Sequence, residues 1–151
     1  MENTNEMTII FDSYSSNEAF ARVAVAAFIT SLNPTVEEVA DVKTAVSEAV
    51  TNAIIHGYES RIEKITLCCK TCGDTLYIEI EDHGKGMEDV KKAMEPLFTT
   101  RPELDRSGMG FSFMEAFMDQ VEVSSKPGKG TIVKMQKTIG KGRKVWTTQS
   151  L

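Results

Sequence analysis

Three short segments in a fixed order limit what this chain can fold into: Ser47-Glu48-Ala49-Val50-Thr51-Asn52-Ala53, then Asp82-His83-Gly84-Lys85-Gly86-Met87, then Gly108-Met109-Gly110. Taken singly, a glycine pair is ordinarily a turn and a Glu on a helix ordinarily faces solvent. An acid-bearing helix, an acid-and-glycine turn and a second glycine pair within one small chain describe the parts of a nucleotide pocket. The segments between them must therefore fold so that all three meet.

Their patterning says how. Met7, Ile9 and Phe11 alternate with polar neighbours, as on a half-buried strand. Ser15 and Glu18 fit a capping box, and Phe20, Val23, Ala24, Ala27, Phe28 and Leu32 recur at helical spacing, which turns Arg22 away from the core. Asn33-Pro34 breaks that helix, and Thr35 with Glu38 opens a second. Its stripe includes Val36, Val39, Val46, Ala49, Val50 and Ala53, and Gly57 is its natural stop. Strands over 64–71 and 75–82 are joined by a turn at Cys72-Gly73-Asp74. From Met87 to Ser107 the chain holds two prolines and a Thr99-Thr100 pair, with one short helix at most, near 89–95. Such a stretch exceeds an ordinary connection and predicts a lid. A helix over 110–118 and a hairpin of 121–125 with 131–137 follow, and the unpatterned basic tail from Gly140 is expected to fray. Strands with few helices between them predict an α+β, two-layer sandwich, its single, mostly antiparallel mixed sheet covered on one face by helices. One domain over 1–151, with 140–151 a flexible tail, is the expected organisation for 151 residues.

Composition removes several function classes. No apolar run approaches the ~20 residues that span a bilayer, and Met1-Glu2-Asn3-Thr4-Asn5-Glu6 lacks the basic and apolar parts of a signal peptide, so a cytoplasmic location is expected. A formal net charge of -5 argues against direct nucleic-acid binding, which depends on Lys and Arg at phosphates. Cys68, Cys69 and Cys72 lie too close together to frame a disulfide-stapled domain, and no second pair completes Cys69-Lys70-Thr71-Cys72 as a metal or redox site. They read as reduced strand and turn residues.

Residue types then suggest roles. Glu48 and Asn52 are one helical turn apart on the same face. Asn52 offers a neutral oxygen suited to Mg²⁺, which takes the rest of its shell from phosphate and water, while Glu48 could accept the proton of an attacking hydroxyl. A plain polar helix face is the competing account of these two. Asp82 continues the inward face of Leu76, Ile78 and Ile80, so its carboxylate points toward the core and needs a donor such as an adenine amino group. An outward Asp opening the following turn is the competing reading. Thr131 shares a face with Val133 and Met135, which turns its hydroxyl inward. Gly108-Met109-Gly110 precedes a helix whose N-terminus favours anions, with Arg106 and Ser107 beside it for a terminal phosphate. His56 and His83 have no readable triad partner and read as structural.

With these residues in place, the chain resembles the GHKL ATPase and kinase superfamily that unites gyrase, heat-shock chaperones, histidine kinases and mismatch-repair ATPases. The carrying residues are Glu48, Asn52, Asp82, Gly84, Gly86, Gly108 and Gly110. Within it, Ser47 to Tyr58 and Pro96 to Gly110 are similar to the anti-sigma F family of spore-forming bacteria. That resemblance implies a homodimeric serine-protein kinase that restrains a sporulation sigma factor and phosphorylates a serine of an anti-anti-sigma protein. It implies Glu48 as general base, Asn52 as Mg²⁺ ligand, and Asp82 and Thr131 as adenine readers. Arg106 would assist transfer, with Gly84, Gly86, Met87, Thr99, Thr100, Ser107, Gly108, Met109 and Gly110 completing the ATP or ADP contacts. Two competing protein partners would need a docking surface outside the pocket, and Arg22, turned away from the core on the first helix, is expected to belong to it. An ATP-binding module with hydrolysis only is the alternative. A two-component histidine kinase would need an upstream phosphoacceptor His, and the first 60 residues hold only His56.

Overall fold

The computed structural model describes residues 3–96 and 110–140. Five strands, β1 (Thr4–Asp12), β2 (Lys64–Cys72), β3 (Thr75–Asp82), β4 (Gln120–Lys126) and β5 (Gly130–Thr138), form a sheet in the order β1-β2-β3-β5-β4. Every pairing is antiparallel, so the mixed component expected from the sequence is absent among the described residues. The link from β3 to β5 spans 83–129 and, among the described residues, carries two helices and β4. That is long enough to bring the chain back in either direction.

One face of the sheet is apolar at alternate positions, with Ile65, Leu67 and Cys69 on β2, Leu76, Ile78 and Ile80 on β3, and Val133 and Met135 on β5 all buried. Three helices cover it: α1 (Ser16–Phe28), α2 (Val36–Asn52) and α4 (Gly110–Phe117), with α2 packed against both others. A single turn, α3 (Val90–Ala93), capped by the Asp89 carboxylate, follows the glycine turn. The opposite face is solvated and carries cross-strand pairs such as Lys134 with Glu79 at 3.7 Å. Cys68, Cys69 and Cys72 are free thiols, and burial pushes the Cys69 thiol up to about 12, which keeps it protonated.

The helix starts differ from one another. Thr35 and Glu38 form the expected capping box, and the second carboxylate oxygen of Glu38 accepts the Gly140 N–H at 2.8 Å, fastening the end of β5 to the start of α2. Ser15 does not cap: its backbone is already helical, and the Asn17 amide instead donates to the Asp12 carbonyl at 2.9 Å. The inward face of α1 is also not the predicted one. Ala21, Val25 and then Ile29 are buried, while Phe20 and Val23 are 60% and 56% exposed. Because α1 is apolar around most of its circumference, two stripes satisfy a helical period, and the one with Ala21 lets α1 come close to α2. On α2, Val36 at the first turn is exposed, whereas Val42 and Ala45 join Val46, Ala49 and Val50 in the core.

The end of α2 shapes everything beyond it. After Asn52 the backbone widens into a π turn over Ala53–Gly57, closed by Tyr58 N–H donating to the Ala53 carbonyl at 2.9 Å. Tyr58 is buried; its hydroxyl accepts the His83 N–H at 2.8 Å and donates to the Lys64 carbonyl, joining the π turn, β2 and the glycine turn. The Gly57 carbonyl accepts the Lys85 N–H at 2.9 Å, and a Cβ on Gly84 would overlap that same carbonyl. Backbone therefore packs on backbone, which only glycine at 84 permits. Gly84→Ala is expected to lower unfolding free energy by at least about 2 kcal/mol, the scale of forced overpacking. Denaturant titration measures it, and an unchanged midpoint would contradict the packing described.

Candidate nucleotide site

A pocket of about 650 Å³ opens where α2, the π turn, β3, β5 and the glycine turn converge. Its volume lies in the range that takes a nucleotide-sized ligand. Asn52, Gly57, Ile80, Asp82, Thr131 and Val133 contribute to its walls, apolar below and polar at selected points.

Asp82 is the pivotal polar group. It ends the inward face of β3 and is only 5% exposed. A Cβ on Gly57 would stand 2.8 Å from its carboxylate, so the missing side chain of Gly57 is what leaves room for the acid. Gly84 N–H donates to the carboxylate at 2.9 Å. Burial raises the Asp82 carboxyl above its ordinary value; the Gly84 N–H, the neighbouring His83 charge and the Thr131 N–H pull it down, and Glu81 pushes it up, leaving a net rise. The backbone donors thus offset the burial of the carboxylate without cancelling it.

The second cluster stands at the mouth. A Cβ on Gly110, the first residue of α4, would sit 3.2 Å from both amide atoms of Asn52 and 3.3 Å from Glu48 Oε2. The helical spacing thus brings Glu48 and Asn52 together at the start of α4, where a helix N-terminus favours negative charge. These residues suit a phosphate-bearing ligand with a divalent cation: a carboxylate, a neutral amide oxygen and a glycine that lets the ligand approach the backbone.

The remaining predicted residues divide into two groups. Gly86, at the left-handed φ of 71°, and Met87 line the pocket, and Gly84 lies buried beneath the turn. Thr99, Thr100, Arg106, Ser107, Gly108 and Met109 lie outside the described residues, as do most of the expected lid and the tail from 141. Arg22 sits on α1 away from the pocket, paired with Glu18 at 3.5 Å. His56 lines the pocket and has an interaction partner, while His83 Nε2 lies 3.3 Å from Glu81. Sequence reasoning missed Ser125, whose hydroxyl contacts Met87 N–H, the Gly130 carbonyl and the Thr131 hydroxyl. The signal existed: Ser125 continues the Val121, Val123 face of β4, just as Asp82 continues its own.

A two-layer sandwich with a buried strand-end Asp, a glycine turn and an acid-amide pair on the covering helix is a nucleotide-binding domain of the histidine kinase and ATPase type. The family model described as histidine kinase-like ATPase domain matches residues 15–137. The chain belongs to the anti-sigma F factor family. It is 60% identical to the anti-sigma F factor of Thermoanaerobacter sp. strain X514, over 93% of this chain and 98% of that one. The anti-sigma F factor of Caldanaerobacter subterraneus subsp. tengcongensis is 58% identical, over 95% of this chain and all of the relative. Among solved structures, the RsbU and RsbW domains of Rv1364c from Mycobacterium tuberculosis share the fold with a TM-score of 0.64 and 16% identity, over 89% of this chain and 32% of that one. The histidine kinase domain of a blue-light activated kinase from Erythrobacter litoralis gives a TM-score of 0.55 and 18% identity, over 85% and 63%.

A raised folded-state pKa has a definite sign. Between 3.8 and that raised value the folded protein holds more protons than the unfolded chain, so stability without ligand falls as pH rises through the window. Thermal melts across that range should show this slope in the wild type and lose it in Asp82→Asn. Parallel curves for the two proteins would mean that Asp82 is not desolvated as described.

Proposed function

We propose that this chain is an ATP-dependent serine-protein kinase and anti-sigma factor, which restrains a sporulation sigma factor and phosphorylates a serine of an anti-anti-sigma protein. The observation that carries the reading is the meeting of Glu48 and Asn52 at Gly110, beside a pocket that holds a buried carboxylate. The relatives' name, anti-sigma F factor, supports the choice of partner.

In this reading Asp82 and Thr131 orient adenine at the closed end of the pocket, and the phosphates extend past Gly86 and Met87 toward α4. Glu48 takes the proton of the serine hydroxyl as its oxygen bonds to the terminal phosphorus; the bond to the bridging oxygen breaks and ADP leaves. Asn52 would hold Mg²⁺, which supplies charge neutralisation at the phosphates. Arg106, Ser107, Gly108 and Met109 are assigned to the terminal phosphate and Thr99 and Thr100 to the lid on the sequence alone. The protein works as a cytoplasmic homodimer of one domain each, and Arg22, outside the pocket, belongs to the surface that binds partner proteins.

Incubation with labelled ATP, Mg²⁺ and an anti-anti-sigma protein tests the assignment. Label should appear on a serine of the partner, and Glu48→Gln should reduce transfer about 10²–10⁴-fold while ATP affinity is kept, because the amide has the volume without the basicity. Phosphate release with no labelled partner would instead indicate a module that only hydrolyses ATP. Transfer at the normal rate by Glu48→Gln would remove it as the base. In the same titrations Arg22→Ala should weaken partner binding by more than ~1 kcal/mol with ATP affinity unchanged.

A further inference from the structure

Three contacts converge on one hydroxyl next to Thr131, a residue of the pocket wall. Met87 N–H donates to Ser125 Oγ at 2.8 Å, Ser125 Oγ lies 2.9 Å from the Gly130 carbonyl, and it lies 2.8 Å from Thr131 Oγ1. A hydroxyl has one proton and two lone pairs. The Gly130 carbonyl can only accept and the Met87 amide can only donate, so Ser125 must give its proton to Gly130. The remaining contact is then satisfied in one way: Thr131 donates its own proton to Ser125. All three hydrogen bonds exist together only with this polarity.

We infer that Ser125 is a positioning residue for base selectivity: by consuming the Thr131 proton, it makes Thr131 Oγ1 present only lone pairs to the pocket. Asp82 and Thr131 are directly paired across β3 and β5, and both line the pocket. Asp82, when ionised, is likewise an acceptor without a proton. Two acceptors side by side match an exocyclic amino group, which brings two N–H donors, and oppose a 6-oxo group, which brings none. The site therefore selects a 6-aminopurine over a 6-oxopurine through a residue that touches neither. The same hydroxyl holds Met87 N–H, so the direction of the Thr131 proton and the start of the segment after the glycine turn depend on one side chain. This inference rests on the reading that Asp82 and Thr131 face the purine.

Calorimetric affinities for ATP and for inosine triphosphate, whose base carries oxo in place of amino at the 6-position and a proton on N1, test it without any partner protein. In Ser125→Ala the Thr131 proton is freed to turn into the pocket and meet a 6-oxo group. Loss of the Met87 contact should affect both nucleotides alike, so the ratio of affinities is the readout. The preference for ATP should narrow about fivefold, the scale of one net hydrogen bond, and Ser125→Thr should restore it. An unchanged ratio in Ser125→Ala would overturn the inference. Thr131→Val is an independent check: it should weaken ATP binding and leave inosine triphosphate unaffected, and a comparable loss for both would overturn the polarity argued here. Wild type that binds neither nucleotide would instead overturn the nucleotide reading, and this inference with it.

Discussion

A carboxylate held out of water at the end of β3 is the constraint around which this structure is arranged. Removing Asp82 from solvent costs several kcal/mol unless donors replace the water. The fold supplies the Gly84 and Thr131 N–H groups and the neighbouring His83 charge, which together leave the effect of burial dominant. Room for the acid comes from the absent side chain of Gly57, whose place in the chain is set by the π turn. That turn is held in turn by Tyr58, by the Gly57 carbonyl on Lys85, and by the tight approach of Gly84. The cost of burying the charge is met by packing and hydrogen bonds in the neighbouring turns.

The same frame sets the position of Glu48 and Asn52. α2 carries Glu48 and Asn52 near its C-terminal end and the Thr35–Glu38 capping box at its start, and Glu38 also anchors the end of β5. Its central residues, Val42, Ala45, Val46, Ala49 and Val50, are buried, so the helix cannot roll without exposing them. The C-terminal end of α4 is tied to β5 by the Lys137 ammonium on the Phe117 carbonyl at 2.7 Å. Two anchored helices meeting at Gly110 hold acid, amide and helix N-terminus close together, the kind of fixed positioning on which the proposed phosphoryl transfer would depend.

How much of this was legible in the sequence follows from which signals are one-to-one. Period-two alternation has a single solution on a half-buried strand, so the inward direction of Asp82 and Thr131 is legible in the sequence, and Ser125 obeys the same rule. Helical periodicity failed on α1 because nearly every position there is apolar, leaving the choice between the Phe20 and Ala21 stripes to tertiary packing. The cap at Thr35 was readable because both halves of the box are present, whereas Ser15 and Glu18 have the right letters on a backbone already helical. The π turn had no residue-level signal: Gly57 reads as a helix stop in either geometry. Antiparallel pairing of β3 with β5 is set by a long connection whose direction local patterns do not encode.

The central claim is that Asp82 waits in the fold as a desolvated carboxylate and is answered by the amino group of a purine. Carbon-13 NMR titration of the Asp82 carboxyl, without nucleotide, with ATP and with inosine triphosphate, measures that directly. The account predicts a midpoint above 3.8 in the free protein, a clear fall with ATP as the amine stabilises the charge, and no such fall with the 6-oxo analogue. A midpoint that stays the same in all three would contradict it.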